Sequence, residues 1–353
     1  MTTFQLRFQS TLDKLAANQV LSRFLVTGAI SDHDLTRRLI RLDRSYKAYI
    51  VSSPVPCWSP GLVVTNEIRH ISETFLPFSE IMPAFARLVR LSLQGIQLPI
   101  APIFERATCW LDLLHELASC CYDPDPAALL AQMMADEAKR RKFLFTLFVP
   151  KKYGGNFARY QGQQHFLRQW LKVAPPWRDG EIRCLDAACG SGEGSYELAE
   201  LLFGEGVPST AIHVTGITIC ALELLAAAYA IFPHDRVREE RFRQYLRPLA
   251  EKNALTGISF VVGDLRTWET SHRYHIILCN GILGGPLLHD KEEVLNVVRR
   301  LAESLEPGGI LLAADRFHGG WKKAMSPSEL GRLFSACGLR TLEVDEGVGG
   351  LKR

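Results

Sequence analysis

Residues 182–201 constrain the fold more than any other stretch of this chain. They read Ile-Arg-Cys-Leu-Asp-Ala-Ala-Cys-Gly-Ser-Gly-Glu-Gly-Ser-Tyr-Glu-Leu-Ala-Glu-Leu. A short apolar run closing at Asp186, small residues through Gly190, Gly192 and Gly194, then apolar positions at helical spacing predict a strand, a tight loop and a helix. Glycine and alanine suit that loop because the backbone must turn sharply and leave room for a ligand, which a larger substituent would block.

The spacing separates two cofactor classes. The dinucleotide fingerprint Gly-x-Gly-x-x-Gly is not present, since the glycines fall at every second position. Asp186 at the strand end followed by small residues at alternate positions (Ala188, Gly190, Gly192) resembles motif I of the class I S-adenosylmethionine methyltransferases.

Downstream, strands are expected at 211–219, 258–262, 274–279 and 310–314, with a further one over 339–344. Between them lie helical stretches at 221–232, 234–253, 290–305 and 326–337, and the chain closes in a short glycine-containing tail. Such alternation implies a largely parallel sheet covered on both faces. Ligands bind at the carboxyl ends of the strands in sheets of this kind. Asp186, Thr218, Asp264, Asn280 and Asp315 fall at those ends, although Asp and Asn are also common wherever strands become turns.

The first half carries no motif. Apolar spacing predicts a helix over 4–25, and Ser31-Asp32-His33-Asp34 caps a second running to about Leu42. Pro54, Pro56 and Pro60 make 46–60 a strand or extended loop. Longer helices are expected over 79–94, 103–121 and 125–148, the last with Asp125 as cap and Pro126 in its first turn. The basic run 139–142 reads as a solvated helix face, and 149–155 as a linker. The expected division is a mainly helical domain over 1–150 and a sheet domain over 151–353.

At 353 residues the chain can form two domains. A net charge of +3 is too small to argue for nucleic acid or a membrane surface. The first residues lack the apolar core of a signal peptide and no apolar run reaches membrane-spanning length, so a cytoplasmic protein without membrane insertion is expected. The nine cysteines form no Cys-x-x-Cys pair. Cys184, Cys220 and Cys279 sit in apolar runs as reduced core thiols, and Cys120 and Cys121 read as helix residues.

A closer resemblance is to the chemotaxis receptor methyltransferases, which esterify receptor glutamates with S-adenosylmethionine. Their motif I, Ala-Ala-Cys-x-x-Gly-Glu-x-x-Tyr-x-Leu-Ala, is matched by Ala187-Ala188-Cys189, Gly192-Glu193, Tyr196 and Leu198-Ala199. Weaker matches are Phe260 with Asp264-Leu265, Arg243 with Tyr245, Asn280, and the turn 305–309. The resemblance covers about residues 155–325 and is strong at motif I. It implies a class I (Rossmann-like) α/β domain that binds S-adenosyl-L-methionine. It further implies that Glu193 receives the cofactor's methionine amino group, that Asp264 and Leu265 flank its adenine, and that Asn280 lies near its methionine portion. The loop residues Asp186, Ala188, Cys189, Gly190 and Gly192 complete that set. Glu193 has a second reading, as a carboxylate favoured by the helix N-terminus.

The chain also departs from the family. Thr218 stands where the family has its ribose-binding Asp and stays in the expected cofactor-binding set, since it can hydrogen-bond a hydroxyl although it brings no charge, and Gly284 stands where the family has a Tyr. Tyr153 and Gly155 replace its Asn and Thr, leaving Phe157-Ala158-Arg159 as a loose match for Phe-Phe-Arg, with Arg159 the candidate catalytic cation. The acceptor therefore stays open between a protein carboxylate and a small molecule. A carboxylate needs no general base because it is ionised at neutral pH, whereas a hydroxyl or amine would draw on Asp315, His318 or His289. The competing functions are a small-molecule methyltransferase lidded by the helical domain, and a degenerate cofactor-binding module that regulates a partner. A nucleic-acid acceptor is disfavoured, since neither an Asn-Pro-Pro-Tyr motif nor a basic excess is present. Oligomeric state is not legible in the sequence.

Overall fold

The computed structural model describes residues 6–53, 63–117, 123–150, 156–173, 180–285, 287–314 and 325–353. It divides into two compact units. One contains Met1–Asp13, Lys151–Ile231 and Arg241–Arg353, and the other Lys14–Pro150 and Phe232–Glu240. The division therefore differs from a single cut at 150, because the first residues join the sheet unit and a segment from the second half joins the helical one.

In the helical unit the elements are α1 (Lys14–Phe24), α2 (His33–Ser52), α3 (Asn66–Phe75), α4 (Phe78–Leu91), α5 (Pro102–Arg106), α6 (Trp110–Leu117), α7 (Pro126–Ala135) and α8 (Glu137–Phe148). Asp32 caps α2 as expected, accepting from Leu35 N–H at 2.8 Å, but α2 continues past Leu42 to Ser52. Amphipathic spacing buries Leu35, Leu42 and Tyr49 along one face and sustains that helix through the first part of the span expected to be extended. The rest of that span, 54–60, lies outside the described residues. The stretch 125–148 is two helices because the Asp136 carboxylate accepts from Ala138 and Lys139 N–H, ending α7 and starting α8. Likewise 103–121 is broken where Asp112 accepts from the Thr108 backbone and hydroxyl, both at 2.9 Å, while Cys120 and Cys121 lie outside the described residues. In the core Phe85 stacks on Trp110 and meets Phe143 at 5.8 and 5.7 Å between centroids. Arg140, in the expected solvated run, is 2% exposed. Its guanidinium donates to the carbonyls of Met133, Val26 and Gly28, which offsets the cost of burying the charge.

The sheet unit holds β1 (Arg7–Gln9), α9 (Gln161–Val173), β2 (Ile182–Asp186), α10 (Glu193–Gly204), β3 (Ile212–Thr218), α11 (Ala221–Tyr229), β4 (Ile258–Val262) and β5 (Tyr274–Leu278). It continues with α13 (Lys291–Glu303), β6 (Leu305–Ala314), α14 (Pro327–Ala336), β7 (Leu339–Val344) and β8 (Gly347–Lys352). Helix α12 (Arg236–Glu251) starts in the helical unit and ends in this one. The eight strands are ordered β1-β4-β3-β2-β5-β6-β8-β7. The run from β4 to β6 is parallel, and β8 and β1 are antiparallel to their neighbours in it. This is the mostly parallel α/β sheet expected, with its reversal of strand order between β2 and β5.

Two segments depart from expectation. The helix drawn over 4–25 is a strand followed by a shorter helix: Phe8 pairs with Phe260 of β4, and the Gln9 amide donates to the carbonyls of Thr256 and Ile258. Sheet pairing outcompetes helical spacing over those three residues. The glycine-containing tail is β8, inserted between β6 and β7. A Cβ at Gly347 would lie 2.1 Å from the Ala313 carbonyl oxygen, so the glycine permits the close approach.

Side chains alternate across the sheet. Leu185, Ile217, Ile277 and Leu311 pack under Val294, Val298 and Leu301 of α13 and Phe334 of α14. On the opposite face Phe260 meets Tyr196 of α10 at 5.5 Å. The Tyr196 hydroxyl donates to Ala227 O at 2.7 Å and meets Ser10 Oγ at the same distance. Among the described cysteines Cys184, Cys220 and Cys279 are buried free thiols. No described helix is long and apolar enough to cross a membrane.

Candidate functional site

Because β4, β3, β2 and β5 are adjacent and parallel, their carboxyl ends form one edge. Asp264 with Leu265, Thr218, the 186–193 loop and Asn280 follow one another along it. The sheet thus brings together residues spread over nearly a hundred positions of sequence.

The loop is fixed from within. Ser195 Oγ donates to Asp186 Oδ2 at 2.8 Å and the Ala188 N–H also bonds this carboxylate, which is 4% exposed. Burial pushes its pKa up to about 6 against those two hydrogen bonds. Asp186 thereby turns its side chain into the loop and the first turn of α10. Cys189 N–H donates to Ile217 O at 2.9 Å, and its buried thiol is pushed well above the usual range by desolvation. Gly192 caps α10 at φ 93°, where a Cβ would meet Ala227 Cβ at 2.9 Å and the Phe260 ring at 3.0 Å. The loop therefore lies directly on the sheet and α11. Among the described residues, Gly190 (φ 51°) and, after β5, Gly281 (φ 76°) have nothing within 4 Å of a Cβ position. Backbone at the ends of these two adjacent strands thus faces open space that a ligand could fill. Glu193 opens α10 where the helix dipole favours a carboxylate, and its Oε2 accepts from Ser191 Oγ at 2.7 Å.

Farther along, Asp264 is held by Arg266, whose guanidinium donates at 2.7–3.0 Å and keeps the carboxyl below its ordinary range. The Leu265 side chain belongs to the core under α13, so its backbone is what it can offer a ligand. Asn280 pairs with Gln163 of α9 through two amide hydrogen bonds.

Arg159 lies on the segment before α9, its guanidinium over the Tyr160 ring at 5.1 Å. This segment is anchored to α10 and α12: Phe157 stacks on Tyr245 at 3.6 Å, and the Ala158 N–H, at φ 58°, donates to Glu197. Burial raises Glu197 to about 7. Arg243 joins the Tyr229 and Leu12 carbonyls, a role in holding the unit together. His289 is exposed, and Asp315 and His318 lie outside the described residues.

Sequence reasoning missed four residues. Gln163 sits in a segment assigned no element. Glu223 accepts from Thr218 Oγ1 at 2.5 Å. Ile219, large and apolar, is 38% exposed at the end of β3. Met325 explains Gly284, because a Cβ there would lie 2.4 Å from the Met325 Cβ. A carboxylate in the first turn of the helix after β3 was the one available signal; Gln163 and Met325 act through residues far away in sequence, and the exposure of Ile219 is not a property of its local pattern. Among the described residues no group of three or more His, Cys, Asp or Glu could hold a metal ion.

No family model matches the chain. A curated relative, "Probable biofilm formation methyltransferase WspC" of Pseudomonas putida, is 26% identical over 261 residues, covering 69% of this chain. The chain spans about half (55%) of that relative's length. Among solved structures, the N-methyltransferase NodS of Bradyrhizobium japonicum with S-adenosyl-L-homocysteine is similar over 62% of this chain and 99% of its own, with TM-score 0.37 and 11% identity. A methyltransferase from Geobacter sulfurreducens with the same ligand is similar over 57% of this chain and 72% of its own, with TM-score 0.34 and 21% identity.

Proposed function

We propose that this chain is an S-adenosylmethionine-dependent methyltransferase that esterifies a protein carboxylate. One observation carries the cofactor: the motif I residues form a tight loop at the reversal of strand order, with open space beside Gly190 and Gly281. The curated relative is likewise named a methyltransferase, which supports the transfer chemistry. The cofactor would supply an electrophilic methyl on a sulfonium. This chain's residues would hold it: Glu193 accepting from an ammonium, Asp264 and the Leu265 backbone beside the adenine, and Asn280 near the methionine end, with charge-assisted hydrogen bonds providing much of the affinity.

Displacement at a methyl group needs nucleophile, carbon and sulfur in line, so positioning and exclusion of water can supply most of the catalysis. An acceptor carboxylate is already ionised at neutral pH. Arg159 is the cation that would orient it. Buried reduced cysteines suit a cytoplasmic setting.

The test combines calorimetric titration with S-adenosylmethionine and transfer of a labelled methyl group to candidate acceptor proteins. Saturable binding and label released as methanol by mild alkali, the behaviour of a carboxyl ester, are the expected results. Alkali-stable label would move the acceptor to nitrogen or carbon, and binding without transfer would favour the regulatory module.

A further inference from the structure

The family pattern places a carboxylate at the end of the strand that is β3 here, and Thr218 occupies that position. Thr218 is 6% exposed and brings a hydroxyl in place of that charge. Its hydrogen bonds run elsewhere: Oγ1 donates to Glu223 Oε2 at 2.5 Å and accepts from Cys220 N–H at 3.2 Å. Glu223 stands in the first turn of α11 and is only partly buried. A Cβ at Gly192 of the glycine loop would lie 2.9 Å from Ala227 Cβ, so α11, which carries Glu223, packs against that loop. Beside it Ile219 exposes an apolar side chain, a surface suited to a flat base.

We propose that Glu223, oriented by Thr218, is the carboxylate that receives the ribose hydroxyls of the adenosyl cofactor. The acid lost from the strand end is replaced from the helix. A carboxylate has lone pairs enough to accept from a hydroxyl pair while one oxygen stays bonded to Thr218, and that bond fixes its rotamer beforehand. This inference rests on the methyltransferase reading above. Its rival is a purely structural role, a carboxylate complementing the N-terminus of α11.

The test uses the full chain and two ligands, S-adenosylhomocysteine and its 2′,3′-dideoxy analogue, titrated calorimetrically with thermal midpoints recorded alongside. The wild type should prefer the parent by roughly tenfold or more, the scale of a charge-assisted hydrogen bond. Glu223→Gln keeps an acceptor for Thr218 and should lose that preference, binding the analogue as the wild type does. Thr218→Val leaves the carboxylate untethered and should weaken only the parent, by about threefold. Glu223→Gln binding the parent like the wild type, or losing parent and analogue equally, would overturn the assignment. A wild type that binds neither ligand would overturn the methyltransferase reading itself, a distinct result that removes this one with it.

Discussion

Gln163 and Asn280, 117 positions apart, pair their amides head to head: Asn280 Nδ2 donates to Gln163 Oε1 at 2.9 Å, and Gln163 Nε2 to Asn280 Oδ1 at 3.1 Å. Gln163 is 2% exposed, so its amide has no access to water in place of this partner. The direction in which Asn280 offers its amide at the end of β5 is therefore set by α9. Gln163→Leu strands both groups of Asn280 and should cost about 1–3 kcal/mol in denaturant unfolding. It should also weaken S-adenosylmethionine binding, and Gln163→Glu, which keeps an acceptor but loses the donor to Asn280 and buries an acid, should be no milder at neutral pH and should recover as pH falls.

Two loop glycines should respond differently to alanine. At Gly192 a positive φ coincides with a Cβ position pressed on Ala227 and Phe260. Gly192→Ala should lose roughly 2–4 kcal/mol and shift the whole loop. Gly190→Ala, strained in backbone but sterically open, should lose only about 1 kcal/mol. If Gly190→Ala nevertheless abolishes cofactor binding in calorimetry, the open space there is ligand space.

Asp186 gives stability a pH dependence of unusual sign. Its folded pKa of about 6 lies above that of an unfolded aspartate, so the folded state binds the extra proton. Its contribution is therefore fully present below about pH 4 and is lost as pH rises through 6, by roughly 3 kcal/mol. Asp186→Asn, which still accepts from Ser195, should flatten this dependence. Between pH 4.5 and 7.5 the two proteins' unfolding free energies should diverge by roughly 2 of those 3 kcal/mol, because the unfolded aspartate is already mostly ionised at pH 4.5, and parallel curves would refute a buried, raised carboxyl.

Glu193→Gln should separate the two readings of that residue. An ammonium-binding carboxylate predicts at least about tenfold weaker S-adenosylmethionine binding with an unchanged thermal midpoint. A carboxylate that serves only the helix dipole predicts the reverse, a loss of roughly 0.3–1 kcal/mol in stability with affinity retained.

Restoring the family's tyrosine at Gly284 should fail. The backbone there is at φ 76° and Met325 fills the side-chain space, so Gly284→Tyr should destabilise by several kcal/mol instead of improving binding. A variant with Met325→Ala added should recover part of the thermal midpoint.

Much of the sheet was legible because alternating apolar runs and glycine turns are local signals: β2 to β6 fall within a few residues of their expected positions. The segments read otherwise have identifiable causes. Residues 7–9 become a strand by pairing with β4, and 347–352 by pairing with β6 as well as with their hairpin neighbour β7; the distant partners, β4 and β6, are ones no local periodicity reports. The breaks at Thr108 and Asp136 come from side chains competing for helix N–H groups inside apolar stretches that look continuous. Of the site, Glu193, Asp264 and Asn280 could be named from motif and strand ends alone. Gln163 and Met325 could not, because each matters only through a distant residue it touches, whereas Glu223, five residues after Thr218, was within local reach.

The sequence by itself determined the glycine loop, the alternation of β2 to β6 with helices, and the strand ends at which polar residues gather, since backbone conformational freedom and apolar spacing are properties of neighbouring residues. Only the tertiary structure decided that Asp186 turns inward, that Thr218 passes its hydrogen bond to Glu223, and that α9 aims Asn280. Those outcomes depend on burial and on which donor meets which acceptor: for Asn280 the partner is 117 positions away, and for Asp186 and Thr218 the partners are near in sequence but the choice is fixed by how the loop and α11 pack on the sheet.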